Sequence, residues 1–218
     1  MTAHVTCLSA SNVELNRDKS ASTRACQLVG EILTGARHDL QLEVEIIPLL
    51  DYEMKSCRMC GKCFEAGRCA RDNAFNQVMD AMARADGLFL VCPHYAPFPS
   101  KVMILLEKLE EIVFLKSCAD PDFHFTWNQK PMGIIAHGGQ TETALPYYRS
   151  ALLAPLASAF RAVQANVIAA SADSPDGAVF GIQSLNLPQG SIFVDITHDW
   201  TAIRQAITPL VLNVAKYL

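Results

Sequence analysis

Gly87-Leu88-Phe89-Leu90-Val91-Cys92 is an unbroken apolar run of strand length, set between Asp86 and Pro93. A strand with one wet face alternates apolar and polar residues. A run without alternation marks a strand covered on both faces, the situation of a parallel sheet under two layers of helix. On its amino side, Asn73 to Ala85 carries Phe75, Val78, Met79 and Met82 at helical spacing. On its carboxyl side comes a proline-stiffened loop, Pro93-His94-Tyr95-Ala96-Pro97-Phe98-Pro99-Ser100, and then a helix from about Lys101 to Phe114.

The same alternation extends along the chain. His4 to Ser9 reads as a first strand, and a helix from about Ser22 follows, with Ala25, Leu28, Val29, Ile32 and Leu33 on one face. Val44 to Leu49 is a second strand, Pro131 to Ala136 a fourth and Val163 to Ala170 a fifth. Ser191 to Ile196 reads as a sixth strand or an edge hairpin. A helix rich in Leu and Ala runs up to about Phe160, and Trp200 to Leu218 is a terminal helix. Residues 116–130, with Cys118, Phe123, His124, Phe125 and Trp127, form a polar irregular connection that serves as a lid or an interface. Alternating strands and helices predict an α/β, doubly wound parallel sheet with helices on both faces. At 218 residues, one domain over 1–218 is the economical reading.

Ligands of such sheets sit at the carboxyl ends of the strands. The loops 9–23, 93–100 and 137–142 all leave such ends and are expected to converge on one pocket. The first is rich in hydroxyls (Ser9, Ser11, Ser20, Ser22, Thr23) and opens a helix, whose free N–H groups and dipole favour an anion. A plain N-cap, for which Ser22 or Thr23 suffices, is the competing reading.

Between the second strand and the next helix lies Cys57-Arg58-Met59-Cys60-Gly61-Lys62-Cys63-Phe64-Glu65-Ala66-Gly67-Arg68-Cys69, half of the chain's eight cysteines in thirteen residues. Two-residue gaps let neighbouring thiolates turn to a common centre, and Gly61 and Gly67 permit the bends this requires. Four cysteine thiolates hold iron–sulfur clusters, and the C-x2-C-x2-C opening is that of bacterial ferredoxin runs. With Cys69 completing the set, the loop at 55–72 reads as one compact [4Fe-4S] site. Lys55, Arg58, Lys62, Arg68 and Arg71 face Glu53, Glu65 and Asp72, a local positive excess in a chain of net charge −4. That excess offsets the cluster's negative charge. Structural zinc sites are usually two separated C-x2-C pairs, which favours the cluster. Zinc, and a loop of thiols that holds nothing, stay open. Disulfides are disfavoured, because MTAHVTCLSA shows no basic leader, apolar signal core or cleavage site, and a reducing cytoplasm is expected.

Composition excludes other classes. The mild acidity and lack of basic runs argue against nucleic acid, and no apolar run reaches the roughly 18 residues of a membrane span. Half the residues are hydrophobic and 18% charged, which implies a large core and leaves room for burial of surface in an oligomer.

These features together resemble the NADPH-dependent FMN reductase superfamily of flavodoxin-like proteins, in particular its iron–sulfur flavoprotein branch. Ser9, Ser11, Ser22 and Thr23 match the family's phosphate clamp. Cys92-Pro93-His94-Tyr95-Ala96-Pro97 matches its third-strand loop with Cys for Ser, and His137-Gly138-Gly139 matches its Gly-Gly loop near the flavin ring. The first loop is longer than the family's and lacks its common Arg, a charge that Arg17 or Lys19 would supply instead.

The resemblance implies a flavodoxin-like sheet of order 2-1-3-4-5, non-covalent FMN, a [4Fe-4S] cluster on Cys57, Cys60, Cys63 and Cys69, and a homo-oligomer, dimer or tetramer. FMN contacts are expected from Ser9, Ser11, Ser22, Thr23, Pro93, His94, Tyr95, Ala96, Pro97, His137, Gly138 and Gly139. His94 and His137 either reach the flavin or serve an ordinary structural role. Tyr95 stacks on the ring or packs in the core. No residue is needed as a nucleophile. The activity implied is that of a cytoplasmic redox protein moving electrons between cluster, FMN and an external carrier, a ferredoxin or NAD(P)H. Two rivals remain: a cluster-free NAD(P)H-dependent FMN or quinone reductase, and a zinc-stabilised, non-catalytic binding domain.

Overall fold

A computed structural model describes residues 2–14, 20–182 and 198–218. The expected strand at 191–196 and the cations Arg17 and Lys19 lie outside the described residues. The strands β1 (Thr2–Ser9), β2 (Gln41–Pro48), β3 (Gly87–Pro93), β4 (Pro131–Gly138) and β5 (Asn166–Val167) form a parallel sheet of order β2-β1-β3-β4-β5. A further strand, β6 (Ala178–Gly181), also pairs in parallel with β4. The flavodoxin-like order expected from the resemblance is therefore the observed one.

The apolar run at 87–92 explains how the layers form. Side chains of a strand alternate between faces. Leu88, Leu90 and Cys92 pack into one cluster with α3 (Asn73–Arg84), which follows the single-turn α2 (Cys63–Ala66), and with α4 (Ser100–Ala119) and α6 (Ala154–Ala162). Phe89 and Val91 pack into the other, with α1 (Ala21–Ala36) and α7 (Trp200–Ala215). Every residue of β3 and β4 is buried, and each fully buried Leu or Phe contributes roughly 1.5–3 kcal/mol. Among the described residues no helix is long and apolar enough to cross a membrane.

Several boundaries differ from the sequence reading, for physical reasons. The N-cap of α1 is Ser20, whose Oγ accepts from the Thr23 N–H, so the helix begins a residue before the expected Ser22. The fourth helix continues through Lys116 to Ala119, which confines the irregular connection to 120–130. The strand expected at 163–170 shrinks to two residues. Its start is taken by the close of α6, where Val163 and Ala165 donate back to Ala159 and Phe160 and Gln164 is left-handed. The outer edge of β4 is instead shared: β5 pairs with Pro131 and Met132, and β6 with Ile135 to Gly138. The Leu- and Ala-rich helix is broken into α5 (Leu145–Tyr148), a π turn (Arg149–Leu153) and α6. Pro155 lacks an N–H for the carbonyl four residues back, and the wide turn lies just before it.

Candidate functional site

The carboxyl ends of β1, β3 and β4 are stitched together beyond their ladders. The Ala10 N–H donates to the Val91 carbonyl at 2.9 Å and the His94 N–H to the His137 carbonyl at 2.7 Å. The loops after these three strands therefore lie side by side. At the start of α1, Ser20 Oγ donates to Thr23 Oγ1 at 2.9 Å, and Ser9 Oγ lies 3.0 Å from the same oxygen. Ser11 Oγ accepts from the Val13 N–H at 3.1 Å and shapes the loop's first turn. Ser9, Ser11, Ser20 and Thr23 thus gather hydroxyls at the positive end of a sixteen-residue helix.

Ser22 faces elsewhere. Its Oγ lies 2.8 Å from His137 Nε2, and both side chains are buried. His137 shares the face of β4 that carries Ile135, so it points under α1, where its ring stacks on Phe180 at 4.8 Å. Burial, with His198 nearby, pushes its pKa down to about 3 and keeps the imidazole neutral. His94 points the other way, its Nε2 3.2 Å from Tyr147 Oη and its ring edge-on to Tyr147 at 5.1 Å. The two histidines of the expected pocket do not share a wall.

Tyr147 and Tyr148 were not found from the sequence, although an aromatic pair opening the helix after a Gly-Gly loop was the available signal. Tyr148 accepts from the Gln140 N–H at 3.2 Å, and its ring fills the space beside Gly138: a Cβ there would stand 2.1 Å from the ring. Among the described residues a Cβ on Gly139 would meet nothing within 4 Å, so the open side of this loop is at Gly139. Pro93 ends β3, and beyond it the Tyr95 N–H donates to the Pro97 carbonyl at 2.8 Å around a left-handed Ala96. This tight turn sets Tyr95 at the rim, partly exposed.

The second candidate site is the cysteine loop. Cys57, Cys60, Cys63 and Cys69 are all free thiols, and all four line one cavity of about 180 Å³. Gly61 and Gly67 are left-handed as the spacing required. Among the described residues no three His, Cys, Asp or Glu side chains are gathered to hold a metal ion. The four cysteines share the wall of this one cavity. The charged residues of the wall are Lys55, Arg58, Arg71 and Lys108 against Asp72 and Glu111, so a positive excess persists in three dimensions. The Lys62 N–H lowers the Cys60 pKa, aided by Arg71, and burial raises that of Cys63. Arg68 is turned away into a two-pronged pair with Asp80, at 2.7 and 2.8 Å.

Outside groups hold this loop. The Cys69 N–H donates to Asn76 Oδ1 at 3.0 Å while Asn76 Nδ2 donates to the Cys69 carbonyl at 2.9 Å. The Cys57 N–H donates to Glu107 Oε2 at 3.1 Å. Asp72, the N-cap of α3, accepts from the N–H groups of Phe75 and Lys55, at 3.0 and 2.7 Å, and pairs with Lys108 Nζ at 3.0 Å. Burial opposes its charge, but these three donors together hold its carboxyl below the usual range. Asp72 and Lys108 are 5% and 4% exposed, so this is a buried ion pair. The sequence signal for Lys108 was a cation in line with Leu105, Leu109 and Ile112 on the buried face of a helix.

Comparison with known proteins follows the same lines. Residues 8–172 match the family model described as NADPH-dependent FMN reductase. A 65-residue stretch is 34% identical to an iron–sulfur flavoprotein of Archaeoglobus fulgidus, covering 30% of this chain and 32% of that protein, about a third of its length. An oxidoreductase of Corynebacterium diphtheriae superposes over 99% of this chain and 96% of its own, with TM-score 0.60 and 16% identity. RosB, solved with a bound flavin-type intermediate, gives TM-score 0.61 at 14% identity over 100% of this chain and 78% of its own. At such identities the likeness is one of fold.

Proposed function

Because the chain belongs to the NADPH-dependent FMN reductase family, we propose that it is an FMN-dependent oxidoreductase that also carries a [4Fe-4S] cluster on Cys57, Cys60, Cys63 and Cys69. The observation that carries the second half is the single cavity lined by all four free thiols and an excess of cations. A cluster is a body of several atoms, so its ligands stand around a space, and the four cysteines border one cavity. Its core with four thiolates is anionic, and Lys55, Arg58, Arg71 and Lys108 suit that charge.

The FMN phosphate would be held by the hydroxyls of Ser9, Ser11 and Thr23 and the N-terminus of α1. Loop 93–97, with His94 and Tyr95, and Gly139 would border the ring. His137 and Ser22 support this site from beneath, by fixing α1 to the end of β4. Bound there, FMN exchanges electrons in pairs or singly and a cluster singly, which suits a donor of pairs such as NAD(P)H and an acceptor of single electrons, or a ferredoxin working in the reverse sense. The chain's part is to bind, orient and shield these groups, in a soluble homo-oligomer of the cytoplasm.

The rival is a cluster-free NAD(P)H-dependent reductase of FMN or a quinone, favoured by the absence, among the described residues, of any group of side chains gathered on a metal ion. The deciding experiment is iron, sulfide, zinc and flavin per chain in protein purified without oxygen, with visible spectra before and after dithionite. About four iron and four sulfide per FMN is the expected result. FMN without iron establishes the rival, and zinc without iron or sulfide replaces the cluster by a structural metal.

A further inference from the structure

Lys108 occupies a position where a helix facing the core calls for an apolar residue. Burying an ammonium costs several kcal/mol unless its donors are matched. Here each contact can be named. Nζ lies 3.0 Å from Asp72 Oδ2, donates to Cys69 Sγ at 3.4 Å and stands 5.3 Å from the centre of the Phe75 ring. Asp72 would cap α3 and tie down the Lys55 N–H without any lysine. A structural account of the pair therefore leaves one contact unused, the N–H aimed at sulfur.

The charge of the donor sets Cys69 apart: Cys60 takes a backbone N–H, that of Lys62, whereas Cys69 takes an ammonium. Cys69 is fixed from its backbone by Asn76 and from its sulfur by Lys108, whose anchor, Asp72, lies three residues further along the same loop. A thiol sulfur is a weak acceptor, whereas a ligating thiolate accepts a charge-assisted bond. We propose that Lys108 is a positioning residue for the cluster: held by Asp72, it orients Cys69 as the fourth ligand and, through a charged N–H to its sulfur, raises the cluster's reduction potential. Hydrogen bonds to sulfur and local net charge are among the terms that set such potentials. One electron enters the cluster from its reductant, and no proton moves at Lys108. The inference rests on the cluster reading of the four cysteines.

The test is an anaerobic redox titration of the visible spectrum in holoprotein, with iron and sulfide counted in the same samples. The wild type is compared with Lys108→Met, which keeps length and apolarity, and Lys108→Arg, which keeps the charge. A tenfold or larger drop in the one-electron equilibrium constant is expected for Lys108→Met, about 59 mV to the negative side, with Lys108→Arg between it and the wild type. Where Lys108→Met does not fold, Asp72→Asn/Lys108→Met is read in its place, since asparagine still caps α3 and both charges go together. Wild-type iron with an unmoved potential in whichever variant is read overturns the proposal. Loss of iron from a folded variant, restored in Lys108→Arg, supports the orienting role; loss that Lys108→Arg does not restore overturns it. A wild-type chain without iron overturns the cluster reading and this inference together, and is seen before any variant is made.

Discussion

A buried charge on one face of the sheet and a buried neutral imidazole on the other make opposite demands on their surroundings. Asp72 and Lys108 satisfy each other, so replacing the carboxylate alone leaves an ammonium enclosed without an anion. Asp72→Asn is expected to cost about 3–5 kcal/mol in urea denaturation, and adding Lys108→Met to recover most of it. His137 is neutral when folded, its pKa at about 3 against roughly 6.5 in an unfolded chain. As pH falls below 6.5 the unfolded chain takes up a proton that the folded chain refuses. Stability is therefore intact above about 6.5 and lost progressively towards 3. Between pH 7 and pH 5 the loss from this residue is roughly 2 kcal/mol. Urea midpoints of the flavin-free chain at the two pH values should show it, and His137→Gln, which keeps a polar partner for Ser22, should flatten the difference by about that amount. At this scale the four cysteines were readable because their relation is local in sequence. Lys108 was not assigned because its partners, Cys69 and Asp72, lie on another element, and pattern alone gives a helix face without saying what it meets. The direction of Ser22 was hidden for a related reason: a hydroxyl near an N-terminus has two ways to turn, and only the position of β4 decides between them.

The turn after β4 shows how a glycine motif divides its duties. Gly138 is a glycine because Tyr148 occupies the place of its side chain, while among the described residues nothing lies within 4 Å of where a Gly139 Cβ would stand. Gly138→Ala is thus expected to destabilise by about 1–3 kcal/mol, from displacement of the Tyr148 ring, and Gly139→Ala to stay within about 0.5 kcal/mol. Melting curves of the two flavin-free variants separate them. Long, uniformly apolar strands were readable from the sequence, since β3 and β4 carry their burial on both faces in their own residues. The strand β6 was not: Ala178-Val179-Phe180 is too short to show a period, and its place is fixed by the half of β4 that β5 leaves unpaired. The break between α5 and α6 was marked in the chain by Pro155, but a smooth run of Leu and Ala hid it.

Across the molecule, the order of the sheet followed from resemblance, and the layers followed from burial alone. The two candidate sites draw on different loops: the hydroxyl and aromatic groups follow β1, β3 and β4, and the cysteines follow β2. Cys60→Ala is therefore expected to abolish the cluster's visible absorption and leave FMN bound at the wild-type level, as measured by flavin release and iron content. Loss of both would make the two sites one folding unit. Besides the sheet they share, one helix reaches from one site to the other. The helix α4 starts where the loop after β3 ends, at Ser100, and two turns later presents Glu107 and Lys108 to the cysteines. From Ser100 to Lys108 the rise is about 12 Å, at about 1.5 Å per residue. The helix thus acts as a ruler: the distance from the loop after β3 to Glu107 and Lys108 is written in its residue count, and one extra turn would carry both roughly 5 Å past the cysteines they hold.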